Sequence, residues 1–254
     1  MSRAELLLVN NNNSRTKFAL AERDSLTGEH RVIDTLDLSG KAVFDLLEGW
    51  EFERIVTASV VPEKGAALRS WLSDYPTTEI SHEIELGIAI DFPNPSTIGA
   101  DRLANAAAVC ELFGESALPI IVVDFGTAVT FDIIATHGSR PAYIGGVIAP
   151  GLDSMRDYLH QRTALLPRID LREPPAAIGK STEDAMLSGA VYGYRGLVRE
   201  ILSQIGRELK ADAKIIATGG HAELIAAGLP EIESVHPVLT MDGLRIIGGL
   251  NFSR

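Results

Sequence analysis

The feature that most constrains this chain is a strand, polar turn and strand block that occurs twice. Leu7-Leu8-Val9-Asn10-Asn11-Asn12-Asn13-Ser14 lies without gaps over Ile121-Val122-Val123-Asp124-Phe125-Gly126-Thr127-Ala128. The overlay sets Asn10 on Asp124, Asn12 on Gly126 and Asn13 on Thr127, and carries residues 18–20 onto 132–134. Two distant copies of one block imply a duplicated domain. At 254 residues the chain has room for one large domain or two small ones, and the expected division is residues 1–115 and 116–254.

Around these blocks β and helical signatures alternate. Short β-rich runs at residues 6–9, 16–20 and 31–38 come first, bounded by polar or glycine-containing turns. A helical pattern at 42–47, a buried strand at 54–60 and a helix at 63–72 follow, the last opened by Pro62. A short strand at 88–90 enters a loop with Pro93 and Pro95, a plausible mouth for a site, and a helix runs from Asp101 to Phe113. Beyond Pro119 the pattern predicts strands at 120–123 and 129–135, a turn at Gly145-Gly146 and a helix from Gly151 to about Gln161. A long helix at 182–209, a strand at 214–217, a helix at 222–227, a strand at 235–239 and a closing helix from Met241 complete an α/β chain.

Charge narrows the partners. Thirty-four acidic against 23 basic residues leave a net charge of −11, and the bases nowhere cluster, so nucleic acid is an unsuitable partner. Cys110 is the single cysteine, which excludes an internal disulfide and a cysteine-based zinc site. The six histidines show no close ligand spacing. The apolar run at 6–9 is too short for a signal-peptide core or a membrane span, so the expectation is a cytoplasmic protein with no membrane partner.

The chemistry enters at three glycine-bearing turns. In Asp124-Phe125-Gly126-Thr127 a carboxylate can serve a cation, glycine lets backbone approach phosphate, and threonine adds a hydroxyl. Thr218-Gly219-Gly220 ends a strand and opens a helix, an arrangement suited to adenosine or phosphate. Gly99-Ala100-Asp101-Arg102 sets a carboxylate and a guanidinium on the first turn of a helix, where a plain capping role is the bland alternative.

In their order and spacing these segments, with Ser59-Val60-Val61-Pro62, Asn105, Asp132, Gly145-Gly146, Pro150-Gly151, Leu166-Pro167, Ile178-Gly179, Ser188-Gly189 and Asp242-Gly243-Leu244, resemble type III pantothenate kinases. That family has duplicated ribonuclease-H-like domains of the actin-like ATPase and sugar kinase superfamily, with mixed sheets flanked by helices. The resemblance implies phosphorylation of pantothenate by ATP, the first step of coenzyme A biosynthesis, with Asp101 as general base. It implies a pantothenate pocket of Phe92, Gly99, Ala100, Asp101 and Arg102, completed by Thr182 across a homodimer interface. Phe92 stands where the family usually has tyrosine, which removes a hydroxyl from the pocket. On the same grounds ATP would meet Asn10, Asn12, Asn13, Ser14, Lys17, Thr127, Thr218, Gly219 and Gly220. Magnesium is expected with ATP, and Asp124 would bind a monovalent cation, potassium or ammonium.

One segment departs from the family pattern. Its D-x-G-N-T reads here Asn10-Asn11-Asn12-Asn13-Ser14, so a carboxylate becomes a neutral amide and a glycine gains a side chain. The second copy keeps both, as Asp124 and Gly126. Weak catalysis, a ligand-binding or regulatory role without turnover, and a kinase for another small hydroxylated acid are the alternatives.

Overall fold

The computed structural model describes residues 2–114 and 117–252. The chain groups into two compact units, Met1–Ser116 with Ala135–Ile144 and Val238–Arg254, and Ala117–Ile134 with Gly145–Pro237. The boundary expected at 115/116 falls on residues outside those described. The C-terminal stretch, assigned to the second half on sequence, groups with the first unit.

In chain order the first stretch contains β1 (Ser2–Arg3), β2 (Leu6–Asn11), β3 (Arg15–Ala21), β4 (Leu26–Asp34), α1 (Gly40–Leu47), β5 (Trp50–Glu51), β6 (Arg54–Ser59), α2 (Pro62–Trp71), β7 (Thr77–Glu79), β8 (Ala89–Ile90) and α3 (Ala100–Phe113). It continues with β9 (Ile120–Phe125), β10 (Ala128–His137), β11 (Arg140–Pro150), α4 (Leu152–Arg162), α5 (Thr182–Leu209), β12 (Lys214–Thr218), α6 (Ala222–Ala226), β13 (Ser234–Val235) and α7 (Leu239–Phe252).

The duplication is written in the sheets. One has the order β4-β3-β2-β6-β7, and the other β11-β10-β9-β12-β13 with β8 added beside β11. In each, a central strand pairs antiparallel with the next strand and parallel with the strand that precedes a helix, β2 with β3 and β6, β9 with β10 and β12. Central placement explains why β2 is buried along its whole length and reads as an apolar run without alternation.

Register corrects the gap-free overlay. Asn10 pairs with Lys17 and Val9 with Phe18, whereas Asp124 pairs with Thr130 and Val123 with Phe131. The second turn is therefore one residue shorter, and Phe18 corresponds to Phe131 rather than Asp132. Both phenylalanines are fully buried, as the period-2 rule requires of equivalent positions.

Local chemistry sets most helix ends. Ser39 Oγ accepts from Ala42 N at 3.2 Å to cap α1, Pro62 opens α2, and Ser181 Oγ accepts from Asp184 N at 3.1 Å to cap α5. In the first unit, α7 lies against α3 so closely that a Cβ on Gly243 would sit 2.0 Å from Ala104 O, and Thr240 Oγ1 donates to Asn105 Oδ1 at 2.8 Å. This contact groups the C-terminal helix with the first unit and braces the helix that carries Asp101.

Three further sequence expectations need correction. Gly145-Gly146 lies inside β11, where Gly145 takes φ +144, a value that favours glycine, within a continuing strand. The strand expected at 235–239 is only Ser234–Val235, since Pro237 can donate no ladder hydrogen bond and Leu239 already opens α7. The run at 31–38 is split between β4 and a 3-10 turn, Thr35–Asp37.

Candidate active site

In the first unit, Asp101 occupies the first turn of α3, where the helix macrodipole favours a carboxylate. Its Oδ1 accepts from Arg102 N at 2.9 Å. Burial raises its pKa above the ordinary aspartate value, outweighing the lowering by that hydrogen bond and by the Arg102 charge. A carboxylate so held is a better proton acceptor than a solvated one. Gly99 leaves room beside it, since a Cβ there would sit 2.6 Å from Asp101 Oδ1 and displace the carboxylate. Ala100 is buried and begins α3 with a small apolar side chain.

Tyr143 gathers the rest of this group. Its ring is 1% exposed; Phe92 meets it edge-on with centroids 6.1 Å apart, and the Arg102 guanidinium carbon lies 5.7 Å from its centroid. Asp91 N donates to Tyr143 O at 2.9 Å, which ties the mouth loop to β11. The sequence reading missed Tyr143. Its only signal was a bulky aromatic two residues before the glycine pair.

Asn10 and Asn12 alternate with Asn11 along the end of β2 and into its turn, so they share a face that Asn11 does not. Asn10 is 3% exposed, and the Oδ1 atoms of Asn10 and Asn12 are buried without hydrogen-bond partners. Lys17 pairs with Asn10 across the hairpin, and Asn13 and Ser14 are exposed at its tip.

In the second unit three turns converge. Asp124 ends β9 beside Thr218 on β12, and Gly219, at φ +96, approaches so closely that a Cβ would lie 2.6 Å from both Asp124 Oδ1 and Phe125 N. Gly151 N donates to Thr127 O at 3.2 Å, and a Cβ on Gly151 would lie 2.3 Å from that same oxygen. His221 Nε2 lies 2.8 Å from Asp153 Oδ2, linking the turn after β12 to the start of α4. Asp124, Thr127, Thr218 and Gly219 are thus brought onto adjoining turns, with Gly220 next in the chain and exposed. Thr182 is the exposed first residue of α5 and takes no part in these contacts among the described residues.

For a cation, the first hairpin offers neutral amide oxygens and the second a carboxylate. Among the described residues no three His, Cys, Asp or Glu side chains gather as a metal cluster. The unpartnered Asn10 Oδ1 fits a water of a hydrated hard cation, and Asp124 fits direct ligation.

A family model described as type III pantothenate kinase matches residues 6–204. The chain belongs to the type III pantothenate kinase family. A type III pantothenate kinase from Akkermansia muciniphila is 49% identical over 245 residues, 96% of this chain and 98% of that protein. Another from Methylacidiphilum infernorum is 39% identical over 255 residues, 98% of this chain and 90% of that protein. A solved structure of a protein from Sinorhizobium meliloti aligns with a TM-score of 0.59 at 15% identity, covering 96% of this chain and 95% of that one. That likeness shows the fold, an α/β architecture with two related mixed sheets flanked by helices. The family match spans both hairpins and α3, while β12 and its Thr218-Gly219-Gly220 turn lie beyond it. Among the described residues no helix is long and apolar enough to cross a membrane.

Proposed function

We propose that this chain transfers the terminal phosphoryl group of ATP to the primary hydroxyl of pantothenate, the first step of coenzyme A biosynthesis. The single observation that carries the mechanism is Asp101, a partly buried carboxylate of raised pKa on the first turn of α3, beside Arg102 and the glycine that makes room for it. Asp101 takes the hydroxyl proton as the oxygen attacks phosphorus, and the Arg102 charge offsets developing negative charge. Phe92, Gly99 and Ala100 hold the acceptor. Thr127, Thr218, Gly219 and Gly220 hold the nucleotide with backbone and hydroxyl donors, and Asn13, Ser14 and Lys17 meet its phosphates. Such positioning is most of what phosphoryl transfer asks of a protein.

Asn10 Oδ1 would hold a water of the magnesium that accompanies ATP, which would supply neutralisation of phosphate charge, and Asp124 would hold potassium or ammonium. A homodimer supplies Thr182 from the second copy. The support for it is an apolar cavity of about 480 Å³ in the second unit, lined by Met155, Tyr158, Leu159 and Met186, with Tyr158 60% exposed. The protein acts in the cytoplasm.

A coupled ADP-release assay tests the reading. Pantothenate-dependent ADP is expected, with Asp101→Asn lowering kcat by about 10²-fold while pantothenate still binds. A folded group whose pKa is raised loses its proton later as pH climbs, so kcat should fall as pH drops through a value above that of ordinary aspartate. Potassium and sodium arms test Asp124, and sedimentation tests the dimer. No pantothenate-dependent ADP at high enzyme concentration would sink the proposal, and the non-catalytic alternative, for which Asn10 and Asn12 speak, would replace it.

A further inference from the structure

Behind the first hairpin runs a buried chain of side chains that the reaction above does not use. Ser59 Oγ donates to Asn11 Oδ1 at 2.7 Å, and Asn11 Nδ2 donates to Thr16 Oγ1 at 2.7 Å. Thr16 Oγ1 and Thr35 Oγ1 lie 3.0 Å apart, and Thr35 Oγ1 donates to Asn12 O at 2.6 Å. Asn11 and Thr16 are 0% exposed and Thr35 2%. A hydroxyl has one proton, and that of Thr35 goes to the Asn12 carbonyl; Thr16 is therefore the donor between the two threonines. Ser59 Oγ also lies 3.2 Å from Val61 O, and with its proton on the nearer Asn11 Oδ1 the donors run one way, from β6 to the turn. Bonds aligned in that sense reinforce one another in a low-dielectric interior.

The chain ends on the backbone of the segment that departs from the family pattern. Thr35 holds that turn twice, through Oγ1 on Asn12 O and through its backbone N on Ser14 O at 3.0 Å. At the other end, Ser59 precedes Val60, whose Cγ1 would lie 3.4 Å from a Cβ on Gly99, and Val60 N donates to Asn11 O at 3.0 Å. One buried chain thus links the first phosphate turn to the segment that backs the Asp101 turn.

We propose that Asn11, Thr16 and Thr35 are positioning residues for the nucleotide. They fix the Asn12 carbonyl, and with it the direction of the Asn10 and Asn12 side-chain oxygens, in a turn that has lost the glycine expected there. The family pattern relies on glycine to let the turn's backbone approach phosphate; this chain pins a side-chain-bearing turn from behind. The proposal rests on the kinase reading only in taking ATP as the ligand of this turn.

The test uses the full-length protein and three variants, with the dissociation constant of ATP read by calorimetry and KM values for ATP and pantothenate read separately. Thr35→Val keeps the shape and the backbone bond to Ser14 but removes the hydroxyl. Loss of one buried hydrogen bond to the turn predicts about a tenfold weaker ATP affinity and a matching rise in KM for ATP, with KM for pantothenate unchanged. Thr35→Ser, which restores the hydroxyl, should return ATP affinity to that of the parent. Because Thr35→Val leaves a buried carbonyl unpaired and could fail to fold, Asn11→Leu with Thr16→Val serves as the second route. It removes both partners of a buried pair at nearly constant volume, which is close to neutral for folding. It too should weaken ATP alone.

ATP affinity unchanged in folded Thr35→Val, or in the double variant, overturns the proposal. So does a parallel loss of ATP and pantothenate affinity with a lowered Tm, which marks a merely structural role. A parent protein that binds ATP without phosphorylating pantothenate overturns the kinase reading and leaves this proposal to be judged by ATP affinity. A parent that binds no ATP overturns both.

Discussion

The two central hairpins have the same neighbours in their sheets and hold their turns by different means, a buried polar chain in the first and close glycine approach, with one longer hydroxyl bond from Ser154 to Thr127 O at 3.4 Å, in the second. By register Asn11 corresponds to Phe125, Thr16 to Val129 and Ser59 to Gly219. In the first hairpin these positions carry the buried polar chain; in the second they carry a phenylalanine and a valine, both buried, and a glycine that abuts Asp124 and Phe125. The first turn has no glycine and its backbone is pinned by hydroxyls. The second is shaped by Gly126, whose N donates to Ala128 O at 3.1 Å, and is hemmed in by Gly151 and Gly219. The ladder tolerates either solution because register depends on which face is buried, and the turn beyond the ladder needs only that its backbone groups be satisfied. What the difference teaches is where substitutions will hurt. Close approach fails abruptly when an atom is added, and a hydrogen-bonded tether fails when a partner is removed.

The largest effect should therefore come from adding one carbon to the second hairpin's surroundings. Gly151→Ala places a Cβ 2.3 Å from Thr127 O and 2.5 Å from Gly126 O, both backbone atoms that cannot swing aside. Gly219→Ala adds strain at φ +96 besides a 2.6 Å approach to Phe125 N. Each should cost about 3 kcal/mol or more in urea unfolding, well beyond ordinary surface substitutions. A Gly151→Ala protein with the parent's unfolding midpoint would show that close approach does not hold this turn, and the contrast between the hairpins would collapse.

Much of this contrast was legible in the sequence, and the reasons differ by element. The repeat could be read because both central strands are fully buried apolar runs ending in a polar turn, a pattern that survives divergence. Its register past the turn could not, since an overlay without gaps cannot register a turn one residue shorter; only the pairing of Val123 with Phe131 reveals it. Asp101, Gly99 and Arg102 were legible because a carboxylate on a helix's first turn after glycine is a local pattern. Tyr143 was not, because it reaches Phe92 and Arg102 by way of the β8 and β11 pairing, a long-range event. Asn11, Thr16 and Thr35 look like ordinary polar turn residues. Their burial depends on the 3-10 turn after β4 folding back over the hairpin, which no local period encodes.

A smaller effect, of opposite sign, should follow from making the first turn resemble the second. On the proposed reading, Asn10→Asp with Asn12→Gly would restore a carboxylate near the magnesium that accompanies ATP and take a side chain away from its phosphates. In a partly desolvated cleft a carboxylate attracts a divalent cation far more strongly than an amide of the same shape. The gain expected in magnesium-dependent ATP affinity or in rate is about 1 to 3 kcal/mol, the scale of one charge-assisted hydrogen bond. The pinned Asn12 carbonyl survives this change, since the bond from Thr35 is to the backbone. Unchanged affinity and unchanged rate in the double variant would mean that the first turn does not meet the metal-bound phosphates.

The smallest effect on stability should come from the reverse exchange, Gly126→Asn, which gives the second turn the side chain that the first already bears at Asn12. A Cβ at Gly126 meets Ala128 O at 3.4 Å and Asp124 Oδ1 at 3.7 Å, ordinary contact or a few tenths of an ångström tighter, and the residue is not among those with positive φ. The fold should accept asparagine there within about 1 kcal/mol, as at a surface position without special geometry. Gly126 is exposed, so the new side chain points toward solvent, the side on which the proposed nucleotide would bind, rather than into the core. The second hairpin has an apolar residue, Phe125, where the first has Asn11, and the hydroxyl that reaches its turn, Ser154 Oγ, donates to Thr127 O at 3.4 Å from α4 and not to Gly126. The expected outcome is therefore an unchanged Tm with weaker ATP binding, which separates glycine kept for the ligand from glycine kept for the fold. A Gly126→Asn protein that melts and binds ATP like the parent would show that a side chain is as harmless in the second turn as in the first, and that the difference between the hairpins lies in how each turn is held and not in what each turn admits.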